Sequence, residues 1–195
     1  MDIPDHMTSS KNIIEPTLLE IIIYGKDGTR ELTKYQPLNS YLRNFICFLH
    51  KDMAGVAEYI IDTGGAGRTI TPTSTWVAGA AEGNANYGIV VGTGTNPVAI
   101  TNTKLQTQIA HGSAAGQLYY QPTVVGAVIT GANYAQMIIS RNFTNSSGAS
   151  ITVKEAGLYI YSATWYFAIV RDLTGDIVVA NTKTLAMQYY IKTTV

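Results

Sequence analysis

One short motif of the sequence could carry out acid–base chemistry. Asp62-Thr63-Gly64 directly follows the apolar residues 59–61, so a strand would deliver the aspartate into a tight turn. Two aspartates placed in this way across a two-fold axis share one proton and can activate water for hydrolysis. Because the sequence holds one copy of the motif, this chemistry would require a homodimer.

The sequence around Asp62 favours a structural loop over a catalytic one. Retropepsin-like aspartic proteases carry a later apolar run that ends in Gly-Arg and supports the catalytic loop. Here Gly67-Arg68 lies within the loop itself. Asp-Thr-Gly also arises by chance in loops rich in Gly and Thr, and a protease that uses Asp62 is therefore kept as the lesser alternative.

Other reactive side chains are not grouped in the sequence. His6, His50 and His111 are far apart, with no Cys or carboxylate at metal-ligand spacing. Cys47 lies in an apolar helical pattern, which is typical of a small core residue. The glycine-rich stretch 64–69 has arginine where a phosphate-binding loop needs lysine. We therefore predict that the protein is not an enzyme and has no cofactor and no metal site.

Three charged residues, Arg141, Glu155 and Arg171, stand inside strongly apolar strand patterns. Buried charges persist only when they are paired. We therefore expect Glu155 to form a structural ion pair with Arg171 or Arg141, within the subunit or across an interface. The alternative is that each side chain points to solvent from the outer face of its strand.

The charge content limits the kinds of partner. Charged residues make up 13% of the chain, and 13 basic residues balance 13 acidic ones. This share is about half of the usual one, so much of the surface must be uncharged or covered by partners. Direct nucleic-acid binding needs clustered Lys and Arg and is not expected. The sequence has no signal-peptide pattern and no apolar stretch that could span a bilayer, so we expect synthesis in a cytoplasm and no membrane contact.

The N-terminal part predicts an arm followed by a hairpin. Residues 1–17 are polar and contain two prolines, so we expect an arm that becomes ordered on a neighbouring subunit. Residues 18–24 form an apolar run, Gly25-Lys26-Asp27-Gly28 follows, and residues 29–35 return as a second strand. Because Asp-Gly tolerates positive φ, this pattern indicates a β-hairpin.

A helix is predicted over residues 38–54, with Asn39 or Ser40 as its cap and Gly55 at its end. Its expected apolar face consists of Leu38, Tyr41, Leu42, Phe45, Ile46, Leu49 and Met53. The four-residue spacing of Leu105 and Ile109 suggests one or two further helical turns.

The remaining chain predicts many strands separated by short turns, among them 145–148 and 174–176. We therefore expect a mainly β fold, an antiparallel sandwich of jelly-roll-like type with the hairpin and one helix packed on it. After the arm, residues 18–195 would form a single domain, with the hairpin and helix in 18–55 and the sandwich in 56–195. The expected core residues are Phe45, Leu49, Ile138, Val153, Leu158, Phe167, Ile169 and Leu185.

Aromatic residues are the expected contact groups, because tyrosine offers a large contact area with a polar tip. The interface candidates are Tyr119, Tyr120, Tyr159, Tyr161, Trp165, Tyr166, Tyr189 and Tyr190.

Three stretches resemble uncharacterised virion structural proteins of tailed phages and related prokaryotic viruses. They are the hairpin with the helix around residues 41–49, the stretches 88–95 and 105–112, and residues 141–172 with the strands that follow. The resemblance covers most of residues 18–192 and implies a virion component of decoration, collar or tail-associated type. It implies homo-oligomeric contacts and contacts with other virion proteins, and no active site.

One further alternative is a receptor- or glycan-binding module of a fibre. In such a module Trp76, Trp165 and exposed tyrosine rings would stack on sugars.

Overall fold

The computed structural model describes residues 16–37 and 41–194. In this part of the chain it contains twelve strands and one helix. They are β1 (Pro16–Tyr24), β2 (Arg30–Gln36), α1 (Arg43–Ala54), β3 (Glu58–Ile61), β4 (Gly67–Ile70), β5 (Gly88–Gly92), β6 (Tyr119–Tyr120), β7 (Val124–Val125), β8 (Ile129–Thr130), β9 (Tyr134–Thr144), β10 (Ile151–Ser162), β11 (Trp165–Val179) and β12 (Thr184–Thr194). The prediction of a mainly β fold with antiparallel sheets and one helix is confirmed.

Two sheets enclose one hydrophobic core. The larger sheet has the order β2-β1-β12-β9-β6, and β7 and β8 also pair with β9. The smaller sheet has the order β11-β10-β5, and β3 and β4 form a separate hairpin. Alternate residues of β1 and β12, such as Leu19, Ile21 and Leu185, point into the core that β10 and β11 close from the other side.

The first hairpin turns at the predicted residues. The Gly25 N–H donates to the Thr29 carbonyl at 2.8 Å, and the Asp27 carboxylate accepts the Thr29 N–H at 3.1 Å. Gly28 has a φ of 81°, a conformation that glycine adopts without strain. β1 begins at Pro16, so residues 16 and 17 belong to the sheet, while the rest of the expected arm, residues 1–15, lies outside the described residues.

The helix begins later than the sequence predicts. Leu42 is extended, with φ −86° and ψ 163°, and its N–H donates to the Ile169 carbonyl at 2.9 Å. This bond ties the chain to β11 until Arg43, where α1 starts. The proposed caps Asn39 and Ser40, like Leu38, lie outside the described residues. The predicted end is observed, because Gly55 adopts a φ of 65°.

The buried face of α1 also differs from the predicted stripe. Asn44, Phe48 and Lys51 are buried, whereas Ile46 is 57% exposed and Met53 is 85% exposed. The Asn44 amide donates to one carbonyl of β3 at 3.0 Å and to one of β11 at 3.2 Å. These two bonds rotate the polar residue inward and leave part of the apolar stripe on the surface.

Two expected local structures are wrong. Leu105 and Ile109 lie in an extended segment, because the Ile109 N–H donates to the Val91 carbonyl of β5 at 2.9 Å and not to a helical partner. The turn signal at residues 174–176 lies inside the continuous strand β11. There the register shifts between the pairs Val153–Ile177 and Glu155–Leu173, and Gly175 adopts a φ of 66°. The extra residues form a β-bulge, which bends a strand without ending it.

The helix α1 is the only described helix, and it is too short and too polar to cross a membrane.

Candidate functional site

Glu155 and Arg171 form a buried ion pair on neighbouring strands. Arg171 Nε donates to Glu155 Oε2 at 2.9 Å, and both side chains are almost fully excluded from solvent. Glu155 lies on β10 and Arg171 on β11, two positions apart across the ladder. The structure thus pairs Glu155 with Arg171 and leaves Arg141, the other expected partner, elsewhere.

The ion pair holds the loop that follows β5. Oε1 of Glu155 accepts the N–H groups of Gly94 at 3.0 Å and Thr107 at 2.8 Å, and Oε2 accepts that of Gln106 at 3.1 Å. On the other side of the pair, Arg171 donates to the Asn102 side-chain oxygen at 2.8 Å. A Cβ atom at position 94 would lie 2.3 Å from Oε1, which explains the glycine. The pair therefore fixes residues 94–107 over the small sheet.

Arg141 is a second buried cation, and its partners are backbone carbonyls. Its five N–H donors are directed to the carbonyls of residues 81, 84, 87, 89 and 121, at 2.6 to 3.3 Å. Its guanidinium also lies 4.7 Å from the centre of the Tyr120 ring. Burial lowers the pKa of Arg141 to about 10. With all five donors used, Arg141 joins two irregular segments to β9. The sequence pattern left open whether this residue is buried or exposed, and it gave no sign of carbonyl partners.

Asp62 stabilises the β3–β4 turn. Its carboxylate accepts Arg68 Nε at 2.6 Å and the Ala66 N–H at 2.9 Å. Burial alone would raise the pKa of Asp62, but the hydrogen bonds from Arg68 and Ala66 outweigh it and lower that pKa. The Arg68 guanidinium lies 3.2 Å from the centre of the Trp165 ring. Asp62 is thus an ionised anchor of its own loop.

Three of the aromatic interface candidates are wrong, because they belong to the core of the subunit. Tyr120, Tyr159 and Tyr189 are buried on the inner faces of their strands. The Tyr120 hydroxyl donates to the Ile109 carbonyl at 2.6 Å, and the Tyr159 hydroxyl accepts the Leu105 N–H. Burial raises the pKa of all three phenols. Period-two patterns fix which face a residue occupies only once the pairing partners are known.

The other aromatic candidates reach the surface. Tyr161 and Trp165 are partly exposed at the β10–β11 turn, and Tyr166 stacks there on Tyr87 at 6.0 Å. Two candidates have carboxylate partners, Tyr119 with Glu82 and Tyr190 with Glu20 at 2.7 Å. Burial and the Glu20 carboxylate raise the pKa of Tyr190 to about 12.

Trp76, one of the aromatic residues expected to stack on a sugar in a glycan-binding module, packs against α1. It stacks on Phe48 at 5.5 Å, and its indole N–H donates to Asp52 at 2.9 Å. The buried Lys51 beside it donates to the Ser74 carbonyl at 3.0 Å. These contacts attach the loop of Trp76 to α1.

An apolar groove of about 350 Å³ lies between α1 and the two sheets. The helix contributes Phe45 and Leu49 to the lining. Both were predicted core residues, but they are only half-buried because they face this groove. The remaining lining residues are Trp76, Ala78, Val125, Met137, Ile139, Leu158, Ile160, Ile169 and Ile191.

Apolar side chains also surround the groove on the outer surface. On one side Ile46 and Met53 of α1 are exposed, and Leu49 lies in contact with both this surface and the groove. On the other side Val125 of β7 lines the groove and is 46% exposed. We name the surface formed by Ile46, Met53 and Leu49 of α1, the groove and Val125 the apolar surface.

Among the described residues no three His, Cys, Asp or Glu side chains are grouped as a metal site would require. Comparison of the chain with models of protein families, with curated proteins and with solved structures found no match in any of the three.

Proposed function

We propose that the protein is a structural, non-enzymatic subunit of a virus particle, made in the host cytoplasm, that assembles through contacts with copies of itself and with other virion proteins. The observation that carries this proposal is the apolar surface. Soluble monomers rarely expose large continuous apolar patches, and such patches mark interaction surfaces. Here the patch includes Ile46, which is 57% exposed, Met53, which is 85% exposed, and Val125, which is 46% exposed.

The buried charges support a structural role. Glu155, Arg171, Arg141 and Asp62 all bind groups of their own subunit. These partners satisfy the hydrogen-bonding groups of the four side chains, as expected of buried charges with a structural role. The ionised state of Asp62 in its pair with Arg68 is the opposite of the proton-sharing pair that a protease would need.

The place in a virus particle is supported by the sequence resemblance described above. The low charge content supports assembly, because only 13% of the residues are charged. A surface with few charges and an exposed apolar strip is poorly suited to a free monomer.

Self-association and the presence of the protein in particles test this proposal. Light scattering of the purified chain should show an oligomer, and mass spectrometry of purified particles should detect the protein. Val125→Asp should weaken association at least about tenfold, because a charge would enter an apolar contact. Val178→Asp is the matched control, since Val178 is 57% exposed on β11 and outside the apolar surface. A chain that is monomeric at all concentrations and absent from particles would contradict the proposal.

A further inference from the structure

The groove begins where the described chain begins. Pro16 pairs with Ile191 across β1 and β12, and Ile191 pairs with Met137 across β12 and β9. Ile191 and Met137 both line the groove. Pro16, which follows the first fifteen residues, is therefore in line with Ile191 and Met137 at one end of the groove.

The groove extends along the strands, away from the paired residues Pro16, Ile191 and Met137. Along β9 it continues from Met137 to Ile139, which pairs with Tyr189. Tyr189 also pairs with Leu19, so β1 runs from Pro16 in the same direction as the groove. β1 therefore enters the large sheet at one end of the groove of its own subunit and runs alongside it.

The length of the N-terminal segment lets it reach another copy. A fully extended chain covers up to about 3.3–3.6 Å per residue, so the fifteen residues before Pro16 can span at most about 54 Å. That reach includes the equivalent groove of an adjacent copy.

The composition of the N-terminal segment matches the lining of the groove. Residues 1–15 contain Ile3, Met7, Ile13 and Ile14 among polar residues. The groove lining is apolar throughout, so it has no partner for a polar or charged chain but can cover isoleucine and methionine side chains. Ile13 and Ile14 are adjacent, so in an extended chain one of them faces the groove whichever way the segment lies.

We propose that residues 1–15 of a neighbouring copy occupy the apolar groove, with Ile13 or Ile14 in contact with Val125 and Met137. This inference rests on the proposed function, since it names the contact through which copies assemble.

A disulfide trapping experiment on the full chain tests the contact. In a Cys47→Ser background, one chain carries Ile14→Cys and a second chain with a different tag carries Val125→Cys. Both are mixed with oxidised glutathione as the oxidant. We expect a disulfide-linked dimer of the two tagged chains. Val178→Cys in place of Val125→Cys is the matched exposed control and should give at least about tenfold less dimer.

Three results would overturn the inference. Equal dimer yields for Val125→Cys and Val178→Cys would show a random collision. A disulfide within one chain of the Ile14→Cys, Val125→Cys double variant, without dimers, would place the segment in its own groove. A second copy that covers the groove with its folded surface would leave the apolar surface protected while Ile14→Cys forms no disulfide with Val125→Cys.

A second measurement separates this inference from the proposed function. Sedimentation should show association weakened at least about tenfold by Ile13→Asp with Ile14→Asp, and unchanged by Thr8→Asp with Ser9→Asp, which adds the same charge at polar positions of the segment. If the wild-type chain associates and neither double variant alters it, the N-terminal contact is wrong while assembly stands. If the wild-type chain does not associate and is absent from particles, the proposed function itself fails.

Discussion

Replacing Glu155 with glutamine should strongly destabilise the fold while it changes only one side-chain atom. Each carboxylate oxygen of Glu155 accepts two hydrogen bonds, Oε1 from Gly94 and Thr107, and Oε2 from Gln106 and Arg171. A glutamine amide turns one of these oxygens into a donor, so two N–H groups lose their acceptor in either orientation. The substitution also leaves the buried Arg171 without its counter-charge.

The size of the effect follows from this geometry. Breaking a buried ion pair by removing one partner costs about 3–5 kcal/mol, because the other charge stays buried and uncompensated. For a chain of this size each kcal/mol lowers Tm by about 2–4 °C. Glu155→Gln should therefore lower Tm by roughly 6–20 °C. Removing both charges with Glu155→Gln and Arg171→Met should cost less than the sum of the single losses.

Thermal unfolding followed by circular dichroism measures the loss, and Lys154→Gln is the control. Lys154 is the next residue on β10, and its exposed pair with Asp176 at 3.4 Å should contribute less than about 1 kcal/mol. Hydrogen exchange should also become faster at Gly94 and Thr107 if the amide nitrogen replaces Oε1, or at Gln106 if it replaces Oε2. If Glu155→Gln melts as Lys154→Gln does, the ion pair does not hold the loop and the reasoning is refuted.

Two further predictions concern ionisation. Asp62→Asn should lower the free energy of unfolding by about 1–3 kcal/mol, while particle assembly and polypeptide processing stay unchanged. Because the folded-state pKa of Asp62 is lowered, the stability difference from wild type in urea titrations should have its whole size above about pH 4. It should shrink as the pH falls below that value. Loss of a cleavage event in that variant would instead support the protease. The phenols of Tyr120, Tyr159 and Tyr189 have raised pKa values, so the stability that they give the fold is present below about pH 10 and is lost as pH rises. Tyrosinate absorbance should show that these phenols ionise together with unfolding. Ionisation of the three phenols in a folded chain would contradict their burial.

The strands and the first hairpin could be predicted from the sequence because their signals are local. Alternation of apolar residues and the Asp27-Gly28 turn depend on neighbours in the chain. The start of α1 depends on a distant group, the Ile169 carbonyl that holds Leu42 extended. The inward rotation of Asn44 likewise depends on carbonyls of β3 and β11. A pattern read over a helix-length stretch of sequence cannot reveal hydrogen-bond partners that lie so far away in the chain.

The candidate site could be predicted only in part, for a similar reason. A charge within an apolar strand indicated that Glu155 and Arg171 needed a partner, and strand pairing then determined which one. The groove had a weaker signal, Val125 in a stretch otherwise typical of loops. Its place at the groove depends on its pairing with Ile139 of β9, which a sequence pattern does not specify.

The two buried charge centres explain how a chain with long irregular segments can present a fixed surface. Residues 93–118 and 71–87 contain little regular structure, and ordering them costs about 1–2 kcal/mol per residue in backbone entropy. Charge-assisted hydrogen bonds offset more of this cost per contact than neutral ones, and they form here in clusters. Glu155 and Arg171 fix the first segment on the small sheet, while Arg141 fixes the second on β9. Because buried hydrogen bonds hold these segments in place, the apolar surface is not needed to fix them. It is therefore the surface at which we expect the proposed contacts between copies.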